Sequence, residues 1–320
     1  MTRANGVCCA SNVYYVSLRW DVITNRGYPG TQKGLAAVTA APVAFRDLMD
    51  LRSLDDSSFR SPAYPAFPAE RAFGGQLVAQ ALWSAGQRAP GGLRPHSLHA
   101  YFLRPVTSGL PVDYRVTDLK QGRNLSSFRV DASQGGRLVF TLAASFETAA
   151  DDVPVVSCGL PHVPIPEPGD CWPDPAYAGA PLATFPATDG FEVRFPRPPS
   201  DGPRAFHPCW VRSARELSAD PLLSACALAF ISDMGVLSGC VPSAEAVMAY
   251  SGASVDHDLR FGQVTRLGDW HVFDFLPVLR TSRRGLGQGC LRSADGALAA
   301  VVAQEGFFPF TTAAMPPTDR

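Results

Sequence analysis

The sequence lacks an excess of charge of either sign. Its 320 residues carry 28 Lys and Arg against 29 Asp and Glu, which gives a formal net charge of -1 at pH 7. A nucleic-acid binder usually shows a basic excess, so we expect neither DNA nor RNA as a partner. Long apolar runs are missing too, since none reaches the roughly 18 residues of a membrane span and the N-terminus has no continuous signal-peptide core. We therefore expect a cytoplasmic protein without a membrane span.

Metal-ligand spacing is also missing. The eight cysteines form no Cys-x-x-Cys motif and no Cys/His pair at the spacing of a metal site. We expect reduced cysteines, several of them in the core, and no bound metal. They stand at positions 8, 9, 158, 171, 209, 226, 240 and 290.

Two nearly uncharged segments predict buried helices, at 73–86 and 220–239. The second, of about five turns, begins with Asp220 as N-cap and Pro221 in the first turn, and Gly239 can end it. Asp233 is the only charged residue between its ends. Burying a carboxylate without partners is costly, so either backbone donors satisfy Asp233 or it has chemistry to perform.

Each predicted helix precedes a series of strand-like segments joined by short turns. The turn and strand at 135–140 align with those at 295–300 at an offset of 160 residues, which indicates two copies of one unit. A buried helix wrapped by an antiparallel sheet, twice over, is an α+β double hotdog. The predicted strands are 97–104, 111–119, 124–132 and 137–147, then 191–195, 254–261, 270–279, 285–292 and 297–306.

The domain organisation follows from the repeat and from the prolines. Residues 151–203 hold 13 of the 29 prolines, which makes helix improbable there and indicates a connection between two domains. The predicted parts are a poorly ordered N-terminal extension (1–42), an N-terminal hotdog domain (43–150), a Pro-rich linker (151–190), a C-terminal hotdog domain carrying the catalytic residues (191–310) and a tail (311–320).

Several motifs in a fixed order resemble the acyl-CoA thioesterase II family over residues 43–310. Members of that family use an Asp on the second central helix, a Thr or Ser at the start of the next strand and a Gln on the last strand to hold the attacking water. By motif these roles fall on Asp233, Ser254 and Gln304, and the resemblance implies an acyl-CoA substrate without a metal or redox cofactor. The motifs are FGGQ (73–76), QAL (80–82), HSLHAYFLRP (96–105), ASF (144–146), ISD (231–233), SVDH (254–257), RGL (284–286) and QEG (304–306).

Thioester hydrolysis needs a proton acceptor, a positioned water and a donor for the oxyanion. Asp233 suits the first role, because an ionised carboxylate only accepts hydrogen bonds. The sequence does not name the oxyanion donor, and a backbone N–H at Gly74 or Gly75 is our expectation, since glycine permits close backbone approach. Arg284, in a turn with Arg280 and Arg283, either meets the coenzyme A phosphates or simply faces solvent.

Other catalytic assignments are also possible from the sequence, and each has a feature against it or in its favour. A Ser254 nucleophile lacks the second glycine of a Gly-x-Ser-x-Gly elbow. Asp256 is a rival base, because two-residue alternation would put Ser254, Asp256 and Asp258 on one strand face. An Asp256/His257 hydratase pair is disfavoured because adjacent strand residues face opposite ways. His96 and His99 are read as structural. The alternative from another functional class is a catalytically weak binder of acyl-CoA or acyl carrier protein.

One departure from the family pattern lies beside the catalytic strand. Residues 258–262 read Asp-Leu-Arg-Phe-Gly, where the family has Ser-Met-Trp-Phe-His, and this leaves the substrate preference open. Each half of a double hotdog also exposes one sheet edge, so we expect a homodimer or a higher homo-oligomer that covers these edges.

Overall fold

A computed structural model describes residues 43–63, 71–148, 188–189, 191–194, 209–213, 220–240, 253–262, 268–281 and 283–307. The predicted N-terminal extension, nearly all of the linker and the tail lie outside these ranges. The helices are α1 (Phe45–Leu48), α2 (Gly74–Gly86) and α3 (Pro221–Ile231), followed by a 3-10 helix at Val236–Cys240. The strands are β1 (Val43–Ala44), β2 (Arg52–Asp55), β3 (Ser58–Arg60), β4 (Leu93–Phe102), β5 (Asp113–Lys120), β6 (Leu125–Gln134), β7 (Arg137–Thr148), β8 (Thr188–Asp189), β9 (Phe191–Arg194), β10 (Cys209–Ser213), β11 (Ala253–Ser254), β12 (Asp256–Phe261), β13 (His271–Arg280), β14 (Arg284–Ser293) and β15 (Leu298–Phe307).

A single antiparallel sheet runs through both halves of the described chain. Its order is β2-β3-β5-β6-β7-β4-β12-β15-β14-β13-β10-β9, and β11 pairs beside β15. In the first half the meander strands are therefore ordered β5-β6-β7-β4. Their counterparts in the second half are ordered β12-β15-β14-β13, which is the mirror image. β4 and β12 join the halves, with Leu98 paired to Leu259. Within the described residues the end strands are β2 and β9, one from each half.

The repeat predicted at an offset of 160 residues is present in the structure as a glycine turn followed by a long strand in each half. β7 follows a turn at Gly135 and Gly136, and β15 follows one at Gly296, all three with positive φ. Every predicted strand is present, with ends shifted by a few residues. The largest shift is in β4, which begins at Leu93 because Pro95 sits at a register irregularity where a strand tolerates proline.

Helix α2 is buried because nearly all of its side chains are small or apolar. Leu77, Val78 and Leu82 are fully or almost fully buried in a core shared by both halves. The buried amide of Gln80 is satisfied, since its Nε2 donates to the Leu48 carbonyl and its Oε1 accepts from Tyr114 Oη, both at 2.7 Å. No polar atom of that side chain is left without a partner, as burial requires.

Helix α3 begins as predicted and ends earlier than predicted. The Asp220 carboxylate accepts a hydrogen bond from Leu222 N at 2.9 Å, with Pro221 at the first helical position. The helix ends at Ile231, three turns along, and Gly235 has a φ of 67°. The prediction of a five-turn helix ending at Gly239 is wrong because the chain turns at Gly235. Asp233 therefore lies in the turn between α3 and the 3-10 helix.

The 3-10 helix packs against glycines on the sheet. A side chain at Gly287 would come within 2.9 Å of the Val236 carbonyl oxygen, and one at Gly306 would overlap the Leu237 side chain. Val236 and Leu237 are 2% and 5% exposed. The apolar run thus continues beyond α3 to cover β14 and β15, and this contact places Asp233 against the sheet.

The described residues include four of the eight cysteines. Cys209, Cys226, Cys240 and Cys290 are buried thiols, while the other four cysteines lie outside the described residues. Across the described ranges, no helix combines the length and apolarity needed to cross a membrane.

Candidate active site

Three segments that are distant in sequence bring Asp233, Ser254 and Gln304 together. Gln304 Nε2, on β15, lies 2.6 Å from Asp233 Oδ1 and 2.6 Å from Ser254 Oγ. Gln304 itself is 1% exposed. The amide thus donates one hydrogen to the carboxylate and one to the hydroxyl, and it holds both groups in place.

Asp233 is also held from the first half of the chain. Gly75 N, in the first turn of α2, donates to Asp233 Oδ2 at 2.8 Å. Burial raises the pKa of Asp233 to about 6, although the hydrogen bonds from Gln304 and Gly75 act in the opposite direction. The residue as a whole keeps part of its surface accessible. A carboxylate with a pKa near neutrality is well suited to accept a proton.

His257 extends the cluster on the other side of Gln304. Its Nδ1 lies 3.1 Å from Gln304 Oε1, and its Nε2 lies 2.8 Å from Ser232 Oγ. The ring is completely buried, which lowers the pKa of His257 to about 4 and keeps it neutral near pH 7. Sequence reasoning assigned no role to His257 or Ser232. The signal available was a histidine two residues before the apolar Leu259 on a strand, which puts both on the inner face.

The strand that carries Ser254 is irregular at Val255. Ser254 and His257 both contact Gln304, although they are three positions apart in sequence and regular alternation would put them on opposite faces. Between them, Asp256 Oδ1 accepts a hydrogen bond from Glu305 N at 2.8 Å. The prediction that Ser254, Asp256 and Asp258 share one face is therefore wrong, because β11 and β12 are offset at this point. The Asp256 carboxylate is engaged by backbone instead.

Models of two protein-family domains match this chain. "Acyl-CoA thioesterase N-terminal domain" matches residues 64–147 and "Acyl-CoA thioesterase C-terminal domain" matches residues 168–308. Acyl-CoA thioesterase 2 of Haemophilus influenzae is 31% identical over 282 residues, which cover 82% of this chain and 96% of that protein. The chain belongs to the acyl-CoA thioesterase II family. Human acyl-coenzyme A thioesterase 8 is 32% identical over 284 residues, covering 81% of this chain and 86% of that relative.

The same fold is found in solved structures. An acyl-CoA thioesterase II, TesB2, from Mycobacterium marinum aligns with a TM-score of 0.68 at 28% identity, covering 84% of this chain and 100% of the other. A hotdog-fold protein from Alicyclobacillus acidocaldarius aligns with a TM-score of 0.64 at 20% identity, covering 84% and 98%. The predicted family, the double-hotdog fold and the thioesterase class are confirmed.

Of the predicted substrate contacts in this thioesterase, Gly75 lies inside the cluster and Gly74 lies against it. The Gly75 N–H is already engaged by Asp233. A side chain at Gly74 would come within 2.7 Å of Asp233 Oδ2 and 3.0 Å of the Phe102 ring, so only glycine fits without displacing the carboxylate. The absence of side chains at 74 and 75 is what lets α2 approach Asp233.

Arg284 lies at the rim of this thioesterase's cluster. Strand pairing puts Gly285 and Ser254 on either side of Gly306, so Arg284 is one register row beyond Ser254. Its Nη1 lies 3.0 Å from Glu305 Oε1, and 54% of its side chain is exposed. The guanidinium is therefore exposed at the strand end beside the site. It pairs with Glu305, which follows the inward-facing Gln304 on β15, so its side chain starts from the opposite face of the sheet.

Two residues of the departure from the family pattern, Asp258 and Arg260, are on the outer face of the sheet. Asp258 pairs with Arg260 at 2.8 Å and with His99 at 3.4 Å, whereas the neighbouring His257 and Leu259 are buried. Asp258 and Arg260 thus point away from Asp233. In the described part of the chain, no group of three or more His, Cys, Asp or Glu side chains is placed to hold a metal ion.

Proposed function

We propose that the chain hydrolyses acyl-CoA thioesters to a free carboxylic acid and coenzyme A by direct attack of a water held by Asp233, Ser254 and Gln304. The observation that carries this proposal is the convergence of Asp233 Oδ1 and Ser254 Oγ on Gln304 Nε2, each at 2.6 Å. The family membership supports the reaction class, and this convergence supports the choice of residues.

Asp233 and Ser254 are spaced to share one water. The two oxygens cannot lie farther apart than twice their 2.6 Å contacts with Gln304 Nε2, and a water with hydrogen bonds of about 2.8 Å can span that gap. Gln304 has used both N–H groups on these residues. Its role in the proposal is therefore to aim the Ser254 hydroxyl and the Asp233 carboxylate at the water.

The reaction proceeds through proton transfer to Asp233. The water donates a proton to the ionised carboxylate while its oxygen bonds to the thioester carbonyl carbon, which gives a tetrahedral oxyanion. When the carbonyl re-forms, the carbon–sulfur bond breaks, and the thiolate takes the proton from Asp233 to give free coenzyme A. The acid keeps the oxygen of the water, and Asp233 returns to its ionised form.

The amino end of α2 is the proposed site of oxyanion stabilisation. The first N–H groups of a helix have no partner within the helix, and the helix dipole favours negative charge there. Since the Gly75 N–H is engaged by Asp233, we assign the donor role to the Gly74 N–H. Its backbone lies beside the carboxylate, where a side chain would come within 2.7 Å of Asp233 Oδ2.

Free-thiol release from a panel of acyl-CoAs, short to long and branched, tests the proposed function. We expect acid and free coenzyme A to appear in equal amounts for at least one member of the panel, and the preferred member reports the acyl pocket. Acyl-CoA binding without turnover of any member would instead support the binding-protein alternative.

The pH dependence of kcat/KM follows from Asp233. Its pKa of about 6 is above the usual carboxyl value of 3.8, so the base becomes protonated as pH falls through 6. We expect a plateau above pH 7 and a tenfold fall per unit below about 6. His257, with a pKa of about 4, titrates below this limb.

A phosphate also ionises near pH 6, so the substrate needs a control. An acyl-pantetheine thioester carries no phosphate, and its kcat/KM is expected to show the same acid limb. A profile that stays flat down to pH 4.5 with this substrate would contradict an Asp233 base with a pKa near 6.

Arg284 is proposed to contact a phosphate of coenzyme A at the rim of the site. Arg284→Gln is expected to raise KM for acyl-CoA roughly tenfold and to leave kcat nearly unchanged, because only a charge-assisted hydrogen bond is lost. Arg260→Gln is the matched control, since its side chain is also 54% exposed and paired with a carboxylate, but it pairs with Val301, six residues along β15 from the Phe307 that pairs with Arg284. The proposal fails if KM for acyl-pantetheine rises as much as KM for acyl-CoA.

The remaining predictions on organisation are kept as proposals. We propose hotdog domains at 43–150 and 191–310 joined by the linker at 151–190, a cytoplasmic location, and a homodimer or higher homo-oligomer. The end strands β2 and β9 of the described sheet supply one open edge from each half. Light scattering coupled to size-exclusion chromatography measures the oligomeric state directly.

A further inference from the structure

The orientation of the Gln304 amide can be deduced from its neighbours. An ionised carboxylate only accepts hydrogen bonds, so the Gln304 atom 2.6 Å from Asp233 Oδ1 must be the nitrogen. The atom that faces His257 Nδ1 at 3.1 Å is then the carbonyl oxygen. His257 Nδ1 must therefore carry the hydrogen and donate it to Gln304 Oε1.

The other ring nitrogen of His257 is fixed in the same way. In a neutral imidazole with a hydrogen on Nδ1, Nε2 is an acceptor, and Ser232 Oγ at 2.8 Å is the group that donates to it. The same hydroxyl also donates toward the Ala229 carbonyl oxygen at 2.8 Å, so its single hydrogen is shared between that oxygen and His257 Nε2, and Ser232 is anchored to the end of α3. A chain of hydrogen bonds thus runs from Ser232 through His257 and Gln304 to Asp233.

We propose that His257 is a positioning residue that keeps the Gln304 amide turned with its nitrogen toward Asp233 and Ser254. This inference rests on the proposed function of Asp233 as the base. His257 does not touch the substrate, and it acts through Gln304 alone.

We call this hold of His257 on the Gln304 amide the lock. It is needed when Asp233 has taken the proton from water. While Asp233 is ionised, its charge already repels the Gln304 carbonyl oxygen. Once Asp233 is protonated, its O–H can donate to that oxygen, so a flipped amide would no longer be repelled. The flipped amide would then withdraw its N–H from Ser254. A donor at His257 Nδ1 opposes this flip throughout the catalytic cycle.

Two conservative replacements of His257 separate the lock from mere packing. An asparagine amide reaches the position of Nδ1, and a glutamine amide reaches that of Nε2. His257→Asn therefore keeps a donor for Gln304 Oε1, whereas His257→Gln keeps only the contact with Ser232. We expect His257→Gln to lower kcat at least tenfold with little change in KM, and His257→Asn to restore most of that loss.

His271 provides a matched control because it is also completely buried and lies on β13, outside the cluster. His271→Gln is expected to lower Tm without lowering kcat. Equal losses of kcat in His257→Asn and His257→Gln would mean that His257 matters only for packing, and the proposal would be overturned. If His257→Gln does not fold, Ser232→Ala replaces it, with an expected severalfold loss of kcat; unchanged kcat in that variant would also overturn the proposal.

A double-mutant cycle tests whether His257 acts through Gln304. In a Gln304→Ala background, His257→Gln is expected to cause no further loss of kcat, since the amide to be oriented is gone. Additive losses would overturn the proposal. Wild type and Asp233→Asn in the same assay keep the two failures distinct: turnover that survives in Asp233→Asn contradicts the proposed function, whereas normal turnover in His257→Gln contradicts the lock alone.

Discussion

Replacement of Asp233 by Asn is expected to lower kcat for acyl-CoA hydrolysis at least a hundredfold. The amide keeps the shape of the side chain but cannot take the proton of the attacking water, and general base catalysis contributes about 10² to 10⁴ in rate. Because burial already raises the Asp233 pKa to about 6, removal of this charge should not unfold the protein. Free-thiol release under saturating acyl-CoA measures the effect.

Asp256→Asn is the matched control for that substitution. It makes the same chemical change at the rival base, and the Asn oxygen can still accept the hydrogen bond from Glu305 N that Asp256 Oδ1 accepts at 2.8 Å. We expect its kcat to stay within about threefold of wild type, since it loses no proton acceptor at the site. The opposite pattern, with Asp233→Asn active and Asp256→Asn inactive, would move the base to Asp256.

Gly75→Ala is expected to be the most destabilising single substitution proposed here. A Cβ at this position would overlap the Phe230 carbonyl oxygen and the Phe73 ring, and the carbonyl belongs to the backbone of α3, so the two helices would have to separate. Overpacking of this kind costs about 3 kcal/mol, or roughly 5 °C in Tm for a chain of this size. Thermal unfolding followed by circular dichroism measures it.

Gly86→Ala is the control at the other end of α2. Its Cβ would meet only the Leu222 side chain, which can change rotamer, and alanine is favoured over glycine in a helix by about 1 kcal/mol. We therefore expect its Tm to stay near that of wild type or to rise. Equal Tm values for Gly75→Ala and Gly86→Ala would show that the close approach of α2 to Phe230 does not constrain the fold.

The strands and helix starts were predictable because their signals are local. Strand-like segments joined by short glycine turns predicted β4 to β7 and β12 to β15, and Asp220 with Pro221 predicted the start of α3. The end of α3 was not predictable in this way. The apolar run continues past Ile231, and the chain turns at Gly235 because Val236 and Leu237 pack against glycines on distant strands.

The site was only partly predictable for the same reason. Asp233 was identified as the one charged residue in an apolar segment, while Ser254 and Gln304 came from the family resemblance. His257 and Ser232 were missed, because their partners come from β15 and the end of α3, and the irregularity at Val255 reverses the faces that alternation predicts. Such pairings depend on tertiary contacts that a local pattern does not contain.

A single-turnover hydrolysis in H₂¹⁸O, with enzyme in excess over acyl-CoA, tests the direct attack of water on the thioester. Mass spectrometry of the released acid and of the Asp233 peptide reads out where the solvent oxygen goes. Direct attack predicts one ¹⁸O in the acid and none in Asp233. An unlabelled acid with ¹⁸O in the Asp233 carboxylate would contradict the account, because it would show that Asp233 bonds to the acyl group and water then attacks the enzyme.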